Sequence, residues 1–134
     1  MPRILIIDGE PDLAAYIAHV LRDAGHEVRV AHDGAEALRS LREATPDLVI
    51  SEMILPDIVG LSLCENLRHR ASPEDPRPPI LVTSTCREAD VRNVAVEAGA
   101  DDYLAKPFSA YQLLLRVHTL LDAALRQRPA TVAS

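Results

Sequence analysis

The strongest constraint on the fold is a fivefold alternation of short apolar runs with segments whose apolar residues recur at helical spacing. The first run, Ile4 to Ile7, ends at Asp8, and in the segment that opens with Pro11 every third or fourth residue is apolar. Short, wholly apolar runs are typical of strands buried on both faces. Such strands alternating with helices predict an α/β protein with a parallel sheet and helices on both faces.

Residues typical of helix ends stand where this alternation requires them. Strands are predicted at 3–7, 27–31, 48–50, 79–83 and 102–105, and the fourth helix over 87–98. Gly25 and Gly99 stand where helices should end, while Asp33 and Ser109 are predicted N-caps. The apolar periodicity fades near residue 125, so we expect one domain over 1–125 and a tail or linker over 126–134.

Charge and composition exclude several classes of protein. The chain has 20 acidic and 14 basic residues and a net charge of −6, whereas a surface for nucleic acid or anionic lipid is basic. No run approaches the roughly 18 apolar residues of a membrane span. Cys64 and Cys86 fit no metal or disulfide spacing. We therefore expect a cytoplasmic domain with no nucleic-acid or membrane partner.

The predicted strand ends carry the polar residues that chemistry needs. Asp8-Gly9-Glu10 follows the first strand, Ser51-Glu52 the third, Thr83-Ser84-Thr85 the fourth and Lys106-Pro107 the fifth. In open α/β sheets ligands bind beyond these ends, and carboxylates with an ammonium suit Mg²⁺ and a phosphoryl group. Lys106 is the single lysine in a chain that has 13 arginines. A site that requires a compact ammonium would explain this exception. The competing interpretation is a set of ordinary solvated residues.

Three segments resemble the motifs of response-regulator receiver domains, in the order and spacing of that family. They are ILIIDGEP at 4–11, PDLVISEMILPD at 46–57 and GADDYLAKPF at 99–108. The resemblance covers about residues 3 to 125. It implies the flavodoxin-like, doubly wound, five-stranded parallel sheet of order 2-1-3-4-5.

The resemblance also assigns roles around the predicted pocket. Glu52 stands where the family has its phospho-accepting aspartate, and Gly9 replaces the second residue of the acidic pair. Asp8 matches the first residue of that pair, and Glu10 matches a position that is often glutamate. Lys106 is then the phosphate-site lysine.

The same resemblance places the switch residues. Ser84 matches the switch hydroxyl, with Thr83 as the alternative one position away, and Tyr103 matches the aromatic that turns inward or outward. The family's proline after the lysine follows a cis peptide bond, so Lys106–Pro107 is expected to be cis. A half-buried strand residue is the competing interpretation of Tyr103.

Two departures from the family pattern weaken phosphorylation. Glu52 is one methylene longer than aspartate, and a displacement of about an ångström can cost on the order of a hundredfold in such chemistry. Gly9 removes one of the carboxylates that hold Mg²⁺, so the site on Asp8 and Glu52 is expected to be weak or absent. No cofactor is certain. Glu52 carries a fixed single negative charge, against roughly −1.5 to −2 for a phosphoryl group.

The leading hypothesis is an atypical receiver domain in two-component phosphorelay signalling: a protein-interaction switch, not an enzyme. Expected partners are a sensor histidine kinase or an effector protein, or a second copy bound through the fourth helix, fifth strand and fifth helix. One alternative is a small Mg²⁺-dependent phosphotransfer or phosphatase domain using Asp8 as nucleophile. Another, a flavodoxin-like cofactor binder, lacks a Gly-rich phosphate loop and has few aromatic residues.

Two further candidates are given no functional role. Asp57 matches an ordinary loop position of the family, so we expect no phosphorylation there. The five histidines are scattered without ligand spacing, and His118 is interpreted as a surface residue.

Overall fold

Strands and helices alternate along the whole chain in the computed structural model, which describes residues 1–55, 57, 60–70, 77–85 and 89–127. The strands are β1 (Arg3–Ile7), β2 (Glu27–Ala31), β3 (Leu48–Glu52), β4 (Ile80–Ser84) and β5 (Asp102–Ala105). The helices are α1 (Pro11–Asp23), α2 (Gly34–Glu43), α3 (Gly60–Arg70), α4 (Ala89–Glu97) and α5 (Ala110–Gln127).

The five strands form one parallel sheet in the order β2-β1-β3-β4-β5. This order confirms the doubly wound, flavodoxin-like fold expected from the sequence. The direction of winding reverses between β1 and β3, where Ile7 pairs with Ser51. The residues that follow β1 and end β3 therefore lie next to each other, at the edge where such sheets bind ligands.

Alternate residues of the strands enter two separate cores. Ile4 and Ile6 of β1 belong to the cluster formed with α1 and α5, which includes Ile17 and Val117. The intervening β1 residues belong to the opposite cluster, with residues of α2, α3 and α4. Because successive strand side chains point to opposite faces, both faces of β1 are covered by helices, as its apolar run predicts.

Local side-chain chemistry fixes the helix ends. Gly25 and Gly99 have φ angles of 95° and 113°, which glycine adopts without the penalty that a Cβ brings. The Asp33 side chain accepts a hydrogen bond from the Glu36 N–H at 2.8 Å, confirming this predicted N-cap. Ser109 caps α5 by accepting from the Gln112 N–H at 3.1 Å.

Several predicted boundaries shift. β3 extends to Glu52 and β4 to Ser84, because the ladder continues through the polar residues that end each run. β4 begins at Ile80, not at Pro79, since proline has no N–H to donate to a ladder. α4 begins at Ala89, and the first two positions expected for it lie outside the described residues.

The boundary expected at residue 125 is also displaced. α5 continues to Gln127, because residues 123–127 are all good helix formers. Residues 128–134 of the expected tail lie outside the described part of the chain. Among the described helices, none has the length and apolar character needed to cross a membrane.

Candidate functional site

Three charged side chains meet at the carboxyl edge of the sheet. Asp8 directly follows β1, Glu52 ends β3 and Lys106 directly follows β5. The Lys106 Nζ lies 3.0 Å from Asp8 Oδ2 and 3.2 Å from Glu52 Oε1. The convergence expected from separate strand ends therefore brings together an ammonium and two carboxylates, called here the ion cluster.

Backbone N–H groups bind the second oxygen of each carboxylate. Asp8 Oδ1 accepts from the Glu10 N–H at 2.9 Å, and Glu52 Oε2 accepts from the Gly9 N–H at 3.2 Å. The turn after β1 thus contributes its backbone to the cluster, while the Glu10 side chain is exposed. All four carboxylate oxygens have a hydrogen-bond partner, so the cluster is internally satisfied.

Burial distinguishes the members of the cluster. The side chains of Asp8 and Lys106 are 2% and 7% exposed, whereas that of Glu52 is 19% exposed. Burial alone would lower the pKa of Lys106, but its hydrogen bonds and charge interactions with Asp8, and then with Glu52, outweigh that effect. The pKa of Lys106 is raised above 10.5, so the ammonium stays charged in the pocket.

The donor set does not fit a magnesium ion. Mg²⁺ requires near-octahedral oxygen ligands, and here both carboxylates are bound to an ammonium. Gly9 brings no side-chain oxygen. Across the described residues, no three His, Cys, Asp or Glu side chains are placed to share a metal ion.

Comparison with known proteins identifies the family that carries this site. The model of the response regulator receiver domain matches residues 4–118. This chain belongs to the response regulator receiver domain family. It is a receiver domain of two-component response regulators, as the three sequence motifs indicate.

Relatives and solved structures agree on this domain. The transcriptional regulatory protein PrrA of Mycobacterium leprae is 41% identical over 133 residues, which cover 99% of this chain and 54% of PrrA. The DNA-binding response regulator MtrA of Mycolicibacterium smegmatis is 38% identical over 119 residues, covering 89% and 50% of the two chains. The chain therefore spans about half the length of the curated relatives it matches.

Two solved structures match over nearly their full length. A putative response regulator from Chloroflexus aurantiacus J-10-fl has a TM-score of 0.83 and 38% identity, covering 90% of this chain and 98% of that one. The chemotaxis response regulator CheY4 of Vibrio cholerae has a TM-score of 0.82 and 29% identity, with the same coverage. The receiver fold thus accounts for the sheet and its flanking helices.

The two residues expected from the resemblance to act as a switch, Ser84 and Tyr103, lie on one face of the sheet. Tyr103 is 6% exposed and packs in the core cluster on the α3 and α4 side, so its ring is turned inward. In the parallel register Val82 pairs with Tyr103 and Ser84 with Ala105, which places Ser84 on the same face. Thr83, the alternative, pairs with Leu104 on the opposite face.

Backbone hydrogen bonds join the end of β4 to the residues around the ion cluster. The Ser84 carbonyl accepts from the Lys106 N–H at 2.7 Å, and the Thr83 carbonyl accepts from the Met53 N–H at 2.8 Å. The Lys106–Pro107 peptide bond is cis. The ends of β3 and β4 and the segment after β5 are therefore hydrogen-bonded to one another beside the cluster.

Asp57 has a structural contact that the sequence reasoning missed. Its carboxylate accepts from the Gly34 N–H at 2.7 Å and from the Ala35 N–H at 3.1 Å, at the start of α2. The bond from Gly34, more than the one from Ala35, holds the pKa of Asp57 below its usual value. The only sequence signal for this contact was the start of α2, because the first N–H groups of every helix need hydrogen-bond acceptors from outside the helix. Asp57 thus ties the segment after Glu52 to α2.

Proposed function

We propose that this receiver domain is atypical: it presents a fixed ion cluster to protein partners and is not phosphorylated at Glu52. The observation that carries the proposal is the Lys106 ammonium shared between Asp8 and Glu52, at 3.0 and 3.2 Å. Together with the two backbone donors, it gives each of the four carboxylate oxygens a hydrogen-bond partner. Attack by Glu52 on a phosphodonor would withdraw charge from its oxygen and so weaken these contacts.

Two properties of the pocket oppose attack on a phosphodonor. Both oxygens of Glu52 accept hydrogen bonds, which stabilise the charge of the carboxylate and lower its nucleophilicity, and the extra methylene displaces those oxygens from the position of an aspartate carboxylate. The cluster also has one net negative charge and no fitting metal site, so repulsion of an anionic donor is not offset. Both effects raise the barrier to transfer.

The fixed charge of Glu52 supplies a permanent substitute for a transient one. Glutamate holds a charge of −1 beside Lys106, where a phosphoryl group would carry roughly −1.5 to −2. The hydrogen bond from the Lys106 N–H to the Ser84 carbonyl connects this charged pocket to β4. The inward Tyr103 lies on β5, directly before Leu104 to Lys106 in the chain. The domain accordingly acts as a protein-interaction module whose state is set by its sequence.

The proposed contact surface lies on α4, β5 and α5. Tyr111 and Leu115, one turn apart on α5, are 75% and 52% exposed, and Val94 on α4 is 47% exposed. Apolar side chains on this surface fit a protein partner: a sensor histidine kinase, an effector protein or a second copy of this domain. Leu114, also on α5, packs against the core instead.

An enzymatic role through Asp8 has no support in the geometry, and we propose that the domain is not an enzyme. Asp8 is 1% exposed, and its two oxygens bind Lys106 and the Glu10 N–H. A nucleophile needs access to its substrate, and the burial of Asp8 denies that access. We further propose a cytoplasmic location, where two-component signalling ends.

Nucleic acid is not excluded as a partner of a longer polypeptide. The relative MtrA is named a DNA-binding response regulator, and this chain covers 50% of its length. The acidic balance of the sequence therefore argues only against DNA contacts made by these 134 residues.

Intact-mass measurement after incubation with acetyl phosphate and Mg²⁺ tests the proposal. The parent should stay unmodified, whereas the double variant Gly9→Asp, Glu52→Asp should gain one phosphoryl group, because it regains the second acidic side chain and the shorter acceptor. Each single variant shows which change matters more.

The double variant is also the positive control for the assay. Modification of the parent, mapped by fragmentation to Glu52 or Asp8, would overturn the proposal. Modification of neither protein under conditions that phosphorylate another receiver domain would mean that features beyond Gly9 and Glu52 silence the pocket, and the proposed cause would be wrong.

A further inference from the structure

Two histidines far apart in the sequence meet on the side of the sheet that α1 and α5 cover. His26 lies in the turn between α1 and β2, and His118 lies on α5. Their Nε2 atoms are 3.3 Å apart, and their ring centroids are 5.5 Å apart at an interplanar angle of 51°. This is a hydrogen bond between two imidazoles, joining elements separated by 92 residues.

The two rings have different surroundings. His26 is 8% exposed, and its Nδ1 is buried and has no hydrogen-bond partner among the described residues, while His118 is exposed. The His26 backbone is held by a bond from its N–H to the Leu21 carbonyl at 3.1 Å. His26 is therefore fixed in place, and within the described part of the chain its only side-chain partner is His118.

The unpartnered Nδ1 decides which tautomers the pair adopts. A buried N–H without an acceptor is unfavourable, so His26 places its proton on Nε2. His26 then donates to His118 Nε2, and His118 carries its own proton on Nδ1. Both rings are neutral in this arrangement.

A proton added to either ring breaks the arrangement. Protonated His118 has an N–H on Nε2, which can bond to His26 only if His26 moves its proton to the buried Nδ1. Protonated His26 has an N–H on both nitrogens and places the same unsatisfied donor there. The bond between the rings and burial of His26 are thus compatible only with the neutral pair.

Burial and nearby positive charges act in the same direction. Burial, the charge of His118 and the amino terminus each lower the pKa of His26, in that order. The other charged residues on the adjoining segments are Arg22 and Asp23 at the end of α1, Glu27 on β2 and Asp122 on α5. Arg22 donates to the Val28 carbonyl and Glu27 pairs with Arg3, so these two have other partners. In the described part of the chain, no third metal-binding side chain joins the pair.

We propose that His26 and His118 form a proton-sensitive clasp, which holds α5 to the α1–β2 turn while both rings are neutral and opens when either is protonated. The clasp involves no residue of the ion cluster. It gives α5, which carries Tyr111 and Leu115, a response to pH that is independent of Glu52.

The expected direction follows from proton linkage. An unfolded histidine titrates near pH 6.5, whereas folded His26 titrates lower, so the unfolded chain binds more protons as the pH falls below about 6.5. Stability should therefore be complete above that pH and be lost on acidification. Keeping one histidine neutral in the folded state raises the unfolding equilibrium constant by up to about tenfold when the pH falls from 7.5 to 5.5.

The first test is an NMR titration of the imidazole nitrogens in the parent protein. At pH 7.5 the long-range ¹H–¹⁵N spectrum should show His26 protonated on Nε2 and His118 on Nδ1. Both rings and the backbone amides of the α1–β2 turn and α5 should then change together on acidification, with His26 titrating below pH 6.5. A His26 that titrates at or above pH 6.5, or that carries its proton on Nδ1, overturns the proposal.

The second test compares urea unfolding of the parent and two variants at pH 7.5 and 5.5. His26→Gln keeps a donor near the Nε2 position but cannot titrate, so its unfolding constant should change less than that of the parent, by a factor of up to about ten. His19→Gln, at an exposed position on α1, is the matched control and should behave as the parent does. Equal pH dependence in the parent and His26→Gln overturns the proposal, and the NMR titration decides alone if His26→Gln does not fold.

Discussion

The two ends of the β-sheet hold ion pairs of similar length in opposite surroundings. At the carboxyl end Lys106 binds Asp8 at 3.0 Å, with side chains 7% and 2% exposed. At the amino end Arg3 and Glu27, the first residues of β1 and β2, pair at 3.3 Å with side chains 63% and 55% exposed. Distance alone would rank the pairs as similar, but burial makes them different interactions.

Burial decides what each pair does for the protein. An exposed pair contributes about 0–1 kcal/mol, because water solvates either partner once the other is removed. A buried pair costs much to break, because the remaining charge has no solvent to replace its partner. The chain uses arginine for its exposed pairs and its single lysine for the buried one. A compact ammonium can lie between two carboxylates where a planar guanidinium needs more room.

The largest expected effect comes from removing the buried ammonium. Lys106→Met leaves Asp8 and Glu52 facing each other and should lower the free energy of unfolding by about 3 kcal/mol, the lower end of the range for buried pairs, because Glu52 is 19% exposed. Arg3→Gln at the opposite end should lower it by less than about 1 kcal/mol. Urea unfolding at pH 7.5 measures both.

Equal losses in the two variants would contradict the comparison between the two ends. If Lys106→Met does not fold, the double variant Lys106→Met, Glu52→Gln should recover stability, because it removes one of the two opposed charges. No recovery in that double variant would mean that Lys106 contributes mainly by packing.

Raising the pH should reduce the difference in stability between the parent and Lys106→Met, because it removes the charge of Lys106. The raised pKa of Lys106 means that its contribution is complete below about pH 10.5 and is lost as the pH rises through the folded-state value. The stability gap between the parent and Lys106→Met should therefore be constant from pH 7 to 9 and narrow above about pH 10.5. The gap between the parent and Arg3→Gln should not narrow in this way, because arginine stays charged. Parallel curves for both gaps would contradict the assignment.

Sequence reasoning reached the ion cluster because its members are placed by the backbone. Asp8, Glu52 and Lys106 stand at the ends of strands that a parallel sheet brings to one edge, so apolar periodicity and strand order suffice to predict their proximity. The shared hydrogen bonds of Lys106 depend on side-chain direction as well. Only the structure supplies that information.

The contacts that sequence reasoning missed depend on details that periodicity does not contain. His118 was correctly expected to be exposed, but its bond to His26 depends on how α5 lies across the α1–β2 turn. Asp57 lies in the segment between β3 and α3, which has no period, and its contact with α2 depends on the path of that segment. Both contacts join residues distant in sequence through single side-chain atoms.

The smallest expected effect tests what decides how much a charged residue stabilises the fold. The two possibilities are its burial and its position at the carboxyl edge of the sheet. Asp57 is exposed yet lies at the start of α2, and Asp57→Asn should loosen the first turn of α2, because it removes a charged acceptor from the Gly34 and Ala35 N–H groups. Hydrogen exchange of those amides should rise while global unfolding changes little. Asp33→Ala, which removes the N-cap of the same helix, is the matched comparison and should cost about 1 kcal/mol.

Acidic pH should abolish the stabilising contribution of Asp57 to the start of α2. Its lowered pKa means that its contribution is present above about pH 3.8 and is lost as the pH falls through the lower, folded-state value. The parent and Asp57→Asn should therefore differ in exchange at pH 6 and converge as the pH falls below about 3.8 and through the folded-state pKa. A loss as large as that of Lys106→Met would mean that position at the carboxyl edge, and not burial, gives these charges their strength. An intermediate loss confined to α2 would instead separate the exposed carboxylate that caps a helix from the buried ones that hold the sheet edge together.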